Sequence, residues 1–296
     1  MNTKLALLVA VTVFFVSCKK ESAEPTNPGT NPGTVADNDH MLLGNPTNAQ
    51  SNALYTNNYL KDYTYYKLAY SNNRGTALWV SWHLQSSDIG SAPRQDDFRA
   101  DNTLPPTFYL VQHSSYSNSG FDRGHNCPSA DRTSTILANS STFFMTNMIP
   151  QAPKLNQGPW EGLEDYIRNT LVGASNEAFI LMGNYGSGGT GSLNTTTDID
   201  NGHIIVPARV WKIAVVMPKG NNDLVRLDTS AIVLAVNMPN DNNLYNTTAA
   251  GKTAWRNYVT TVSNLEQNAA AEGMILDFFS NLSAPVRTYL KSKLFQ

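Results

Sequence analysis

Phe121-Asp122-Arg123-Gly124-His125-Asn126-Cys127-Pro128 sets a histidine among an aspartate, an arginine and two glycines, Gly120 and Gly124. A lone histidine is more often structural than catalytic, but these neighbours change the weighing. The glycines permit a sharp backbone path with an exposed side chain. Asp122, three residues before His125, is expected to orient the imidazole and favour its charged form, as suits a general base. Arg123 offers a planar fork of donors that fits a phosphate.

Downstream stands Leu155-Asn156-Gln157-Gly158-Pro159-Trp160-Glu161-Gly162-Leu163-Glu164-Asp165-Tyr166-Ile167-Arg168. Trp160, Leu163, Ile167 and Leu171 recur at helical spacing, so one face of a helix over residues 158–171 packs inward. Pro159 suits its first turn. Asn156 then falls at or just before the helix start, where it reads either as an N-cap or as a neutral oxygen ligand for a hard cation such as Mg²⁺. Glu164 and Arg168 are neighbours on that helix, an exposed ion pair in the plainer reading.

Composition narrows the partners. The chain has 296 residues, 41% hydrophobic and 15% charged, which describes a globular protein with a core and an amide- and hydroxyl-rich surface. Its formal net charge of −2 supplies no global basic field, so nucleic acid binding requires a local patch or a metal. Of the two cysteines, Cys18 and Cys127, the first belongs to a targeting segment, which leaves no internal disulfide framework.

Residues 1–18 read as a signal peptide. Lys4 gives the positive start, Leu5 to Val16 the apolar stretch, and Phe15-Val16-Ser17-Cys18 resembles a bacterial lipoprotein site with Cys18 lipidated. An ordinary secretory peptide is the alternative. Residues 19–39, with two Asn-Pro-Gly-Thr copies, read as a flexible tether. This predicts a protein of the cell envelope, anchored to the outer membrane or secreted.

One α+β domain is expected over residues 40–296. Tyr63–Tyr70, Ala77–Trp82, Phe108–Val111, Ala178–Met182, Ile204–Pro207, Val210–Val216 and Ile232–Val236 read as strands, several of them in a central, mostly antiparallel sheet flanked by helices. Trp255, Val259 and Val262 recur at helical spacing, and Val286–Leu294 reads as a last helix. The glycine-rich run Gly183–Ser192 lacks the Gly-Lys-Ser/Thr ending of a phosphate loop and reads as a flexible hairpin or loop. The aromatic-rich runs around Tyr65 and Trp79 read as core rather than as base-stacking platforms. His40, His83, His113 and His203 are too scattered to combine with His125 in a zinc site, and Cys127 reads as a packed thiol.

Taken in order and spacing, Asp-Arg-Gly-His, then Asn147-Met148-Ile149-Pro150-Gln151, then Leu155 to Trp160 with Leu163-Glu164 resembles the DNA/RNA non-specific endonucleases of the ββα-metal superfamily. The likeness runs from Leu43-Gly44-Asn45-Pro46 to Leu276-Asp277-Phe278-Phe279. It implies a ββα-metal motif that cleaves DNA and RNA to 5′-phosphates with Mg²⁺, for which Mn²⁺ can substitute. It implies His125 as general base, Asn156 as metal ligand and Asn147 as a supporting asparagine. Glu164 would hold metal-bound water, Arg168 would face the phosphate, and Asp122 and Arg123 would flank the base. The family's upstream transition-state arginine has no clean match; of Arg94 and Arg99, Arg94 is chosen. The competing readings are a catalytically silent lipoprotein of the same fold that binds nucleic acid or protein, and a zinc hydrolase of small phosphoesters.

Overall fold

The computed structural model describes residues 36–296. The signal peptide, Cys18 and nearly all of the tether lie outside the described residues. Contacts to the domain include residues slightly before the expected residue 40: Asp37 Oδ1 accepts from the amide of Asp223, and the amide of Asn38 donates to Asp223 Oδ2.

In chain order the strands are β1 (Tyr59–Asp62), β2 (Lys67–Ser71), β3 (Thr76–Gln85), β4 (Asp122–His125), β5 (Met148–Gln151), β6 (Asn176–Tyr185), β7 (Gly189–Thr190), β8 (Thr195–Thr196), β9 (Asp198–Ile199), β10 (Ile204–Ile205), β11 (Arg209–Pro218), β12 (Ile232–Pro239) and β13 (Val259–Thr260). Seven form one antiparallel sheet in the order β1-β2-β3-β6-β11-β12-β13. β4 pairs only with β5, in a separate antiparallel sheet that carries His125.

The long central strands are apolar on both faces because both are covered. Successive side chains point to opposite sides of a strand. On one side Ala178, Ile180 and Met182 of β6, Val210, Ala214 and Val216 of β11, and Leu234, Val236 and Met238 of β12 join one core. That core also takes Leu155, Trp160, Leu163, Ile167 and Leu171 from the helix of residues 153–172. On the other side Phe179, Leu181, Trp211, Ile213, Val215, Val233 and Ala235 meet Val262, Leu265, Ala269 and Leu290 of the C-terminal helices Val262–Ala271 and Ala284–Ser292. A sheet sandwiched between helices results, and β4, β5 and the helix of residues 153–172 follow one another as a ββα unit.

Four expected elements differ. Tyr63–Tyr70 is not one strand: Thr64 has φ +65° and turns the chain between β1 and β2. Phe108–Val111 is loop, its apolar side chains serving instead to plug Phe108 and Val111 into two cores. Ile204–Ile205 pairs with Asp198–Ile199 outside the central sheet. Trp255, Val259 and Val262 do not share a helix: a 3₁₀ segment, Gly251–Tyr258, ends before the edge strand β13, and the next helix starts at Val262. The glycine-rich run does form a hairpin, with Gly189–Thr190 paired to Thr195–Thr196. Trp79 is fully buried and Tyr65 packs on the core, so both serve packing.

Candidate active site

A cavity of about 350 Å³ opens between β4 and the helix of residues 153–172. Arg94, Arg123, His125, Asn156, Glu164 and Arg168 all line it, and Ser129, Gln157, Glu161 and Asp165 complete much of its wall. Residues spread over seventy-odd positions of sequence therefore meet at one place, each for an identifiable reason.

Strand alternation decides the hairpin's part. Arg123 and His125 lie on one face of β4, while Asp122 and Gly124 lie on the other. Asp122 accordingly does not contact His125, contrary to expectation. Its Oδ2 accepts from Asn156 Nδ2 at 2.9 Å and from Gln157 Nε2 at 2.8 Å. Gly124 is extended rather than sharply turned; its constraint is space, since a Cβ would lie 2.2 Å from Gln151 Oε1 and 2.6 Å from Gln151 Cβ on the paired strand. Gly120, with φ +82°, is the glycine that turns the chain. Gly124→Ala is expected to lower stability by about 1–3 kcal/mol through this overpacking and to displace His125; a thermal melt and a cleavage assay would read both, and a wild-type melting temperature would refute the packing argument.

The His125 ring packs edge-on against Phe98 at 5.7 Å and Phe143 at 4.9 Å between centroids. Among the described residues its Nε2 is buried without a hydrogen-bond partner. Burial, then the charges of Arg94 and Arg123, push its pKa down to about 3. The imidazole is therefore neutral near pH 7, the form that accepts a proton. The neighbours keep it uncharged instead of favouring the cation.

The arginines are held in place by their own contacts. Arg94 donates to Asp96 and to Ser129 Oγ, each at 2.7 Å, and lies over the Phe143 ring. Arg99, its alternative, lines a different hollow and lies over Phe144, so the cavity takes Arg94. Arg123 contacts His113 Nδ1 at 2.8 Å and covers Phe98 at 4.3 Å. Arg168 donates to Asp131 Oδ1 at 2.7 Å and Asp165 Oδ1 at 2.8 Å. It does not pair with Glu164, whose Oε1 instead accepts from Lys212 Nζ at 2.7 Å.

Asn156 is not a cap. The helix begins at Pro153, and Asn156 has helical angles within its first turn. The orphan amides at the helix start are met from a distant loop: Asn240 Oδ1 accepts from the amide of Ala152 and Asn242 Oδ1 from that of Lys154. Wide turns and a kink at Gly158, φ −110° and ψ −110°, follow, and a Cβ there would lie 2.4 Å from the Asn246 carbonyl. The side chain of Asn156 is thus released from local duty. Asp122 holds its Nδ2, which makes Oδ1 the free end of the amide at the cavity. A neutral oxygen beside carboxylates suits a hard cation. Among the described residues no group of three or more His, Cys, Asp or Glu is placed to enclose a metal. A cation here would keep most of its coordination for water and substrate.

Asn147 is fully buried outside the cavity. It exchanges hydrogen bonds with both backbone groups of Cys127, donates to the Thr142 carbonyl, and through its own carbonyl receives Asn126. It pins the segment leaving His125, a supporting role. Cys127 itself is buried, its thiol pushed up to about 12, so it packs. The zinc constellation does not form: His83 faces Glu177, His40 meets the Thr64 carbonyl, and His203 stacks on Tyr109.

Reading the sequence missed Lys212, Asp131, Glu161 and Gln157. Lys212 alone carried a signal, a single cation inside the apolar run Val210–Val216.

Residues 43–284 match the family described as DNA/RNA non-specific endonuclease. A nuclease of Nostoc sp. (strain PCC 7120 / SAG 25.82 / UTEX 2576) is 43% identical over 254 residues, covering 86% of this chain and 85% of that protein. Mitochondrial endonuclease G of Homo sapiens is 30% identical over 175 residues, 54% of this chain and 56% of that protein. Among solved structures, a chain of the EndoG/EndoGI complex superposes with a TM-score of 0.60 at 20% identity, over 80% of this chain and 92% of the other. That last likeness is one of fold, a mostly antiparallel sheet with helices.

Proposed function

The chain belongs to the DNA/RNA non-specific endonuclease family, a hydrolase of nucleic acids, and on that premise we propose that it cuts DNA and RNA backbones with Mg²⁺ held by Asn156 and with His125 as general base. The observation that carries this reading is a neutral imidazole, its Nε2 without a partner among the described residues, in one cavity with three arginines and the amide oxygen of Asn156.

His125 takes the proton of an attacking water, which its low pKa leaves it free to do. Arg123 and Arg168 hold the non-bridging phosphate oxygens by charge-assisted hydrogen bonds, and Arg94 meets charge that develops beside the base. Asp122 fixes Asn156 through its amide nitrogen and so presents Oδ1. Glu164 accepts from water in the cavity. When bound, the cation neutralises charge on the phosphate and on the departing oxygen. Contacts to phosphate carry no sequence information, which accounts for low specificity.

The test is cleavage of plasmid and of RNA by the purified protein in Mg²⁺, in Mn²⁺ and in EDTA. Activity in both metals and loss in EDTA are expected; no cleavage in either metal would favour a silent binding protein. With three cavity arginines and a net charge of −2, binding should fall with salt at a log–log slope of about −3. A slope implying eight or more phosphate contacts would contradict this picture.

The proposal extends to placement: residues 1–18 as a lipoprotein signal, 19–39 as a tether and 40–296 as the nuclease domain, held in the envelope by lipid on Cys18. Its support is the sequence Phe15-Val16-Ser17-Cys18 after an apolar stretch. Cys18→Ser should move the protein from the detergent phase to the aqueous phase, and unchanged partitioning would count against the anchor.

A further inference from the structure

A lysine in the middle of a central strand is the least expected residue in the apolar layer. Lys212 is 2% exposed and lies on the face of β11 that carries Val210, Ala214 and Val216 into the core. Lysine is almost never fully buried unless paired. Its ammonium lies over the rings of Trp160 at 4.8 Å and Trp82 at 5.4 Å, and its hydrogen-bond partner is Glu164 at 2.7 Å. A core gains nothing from a charge there, since a buried ion pair is often no better than apolar residues of the same volume. The pair joins the sheet to the helix that lines the cavity, and its acidic member is a cavity residue.

We propose that Lys212 is a positioning residue of the active site, which holds Glu164 as a carboxylate at the cavity wall. The proposal rests on the reading of Glu164 as part of that site. The groups that face Glu164 are few. Lys212 comes from β11, Arg168 from the same helix and Asp131 from the segment after β4. Burial raises the Glu164 pKa, Lys212 opposes this most, Arg168 opposes it less, and Asp131 adds to it. Arg168 is already committed to Asp131 and Asp165, so Lys212 is the counter-charge that remains for Glu164. The two tryptophan rings hold the ammonium by attraction to their faces, and so help fix the direction from which Glu164 is held. The other carboxylate oxygen is left to the cavity.

The experiment is Lys212→Met, which keeps the volume between the tryptophans and removes the charge. Without its partner, Glu164 becomes protonated at higher pH. The acid limb of the kcat/KM profile should move up by about one pH unit or more, with activity regained toward alkaline pH. His125 titrates far lower, at about 3, so the new limb belongs to Glu164. Melting gives a readout independent of turnover. A carboxyl whose folded pKa is raised stabilises the fold below its unfolded pKa and loses that contribution as pH rises through the folded pKa. The melting deficit of Lys212→Met against wild type should therefore widen from pH 5 to pH 9, and so should its deficit against the double variant Lys212→Met with Glu164→Gln, which lacks the titrating carboxyl. An unshifted pH profile with a constant deficit would overturn the proposal and leave Lys212 a core residue.

Where Lys212→Met does not fold, the double variant, which buries no charge, carries the test. Its kcat/KM should equal that of Glu164→Gln within about twofold, because Lys212 acts only through the carboxylate; a further tenfold loss would refute this. Should the wild type prove inactive on nucleic acid, the proposed function fails, while the melting series still reports whether Lys212 keeps Glu164 charged.

Discussion

His125→Ala is expected to lower kcat/KM on plasmid DNA by about 10²–10⁴-fold, the usual contribution of a positioned general base. The ring reaches the cavity from β4, its Nε2 has no partner among the described residues, and burial, aided by the neighbouring arginines, holds it neutral. The carboxylates that line the cavity each already carry a counter-charge: Glu164 that of Lys212, Asp165 that of Arg168 and Glu161 that of Lys252. The same substitution has a signature in stability. In the unfolded chain the histidine titrates near its ordinary value of 6.5, while in the fold it resists protonation down to about 3. Between those values the unfolded state binds the extra proton, so the wild type loses stability as pH falls, by up to about 1.4 kcal/mol per unit. His125→Ala removes that loss. Its melting temperature relative to wild type should rise as pH is lowered from 6.5 to 4. Undiminished cleavage by the variant would sink the assignment, whatever the melting curves show.

The central sheet was readable because β6, β11 and β12 are covered on both faces and thus appear as apolar runs. The order of Asp-Arg-Gly-His and Leu-Asn-Gln-Gly-Pro-Trp, with the arginine and glutamate that follow, pointed to the cavity. What could not be read depends on contacts between distant residues. Asn156 kept a cap reading beside its ligand reading because the groups that cap its helix, Asn240 and Asn242, come from a loop 88 residues away from Ala152 and Lys154. Asp122 looked like the partner of His125 because proximity in sequence hides the alternation of a strand. Phe108–Val111 has strand composition, but it pairs with no strand, and its Phe108 and Val111 side chains enter two separate cores instead. Arg94 and Arg99 were separated only when their aromatic platforms, Phe143 and Phe144, faced different hollows. Lys212 was hidden by the apolar strand around it, and its meaning depends on Glu164, far away in sequence.

Asn156→Ala should abolish stabilisation by the cation and reduce cleavage at millimolar Mg²⁺ by at least about a hundredfold, while Asp122→Ala should reduce cation affinity by only about 10–100-fold, the usual effect of losing a residue that orients a ligand. The two differ because they remove different things. On the proposed function Asn156 would supply the oxygen, and Asp122 supplies the hydrogen bond, 2.9 Å long, that holds the amide nitrogen and leaves the oxygen to the cavity. In Asp122→Ala the amide regains a second orientation, and added Mg²⁺ should restore much of the rate. In Asn156→Ala no concentration restores it. Asn156→Asp sets a carboxylate against Asp122, so repulsion should cost it more at neutral pH than the added charge returns through the cation. Titration of Mg²⁺ against melting temperature distinguishes these cases without relying on turnover: a saturating shift for wild type, the same shift at higher concentration for Asp122→Ala, and none for Asn156→Ala. A full shift in Asn156→Ala would mean the cation is held elsewhere in the cavity, where Gln157, Glu161, Glu164 and Asp165 are the other oxygen donors of the same helix. That result would withdraw Asn156 as the ligand and leave the helix as the element that carries it, opposite the strand that carries the base.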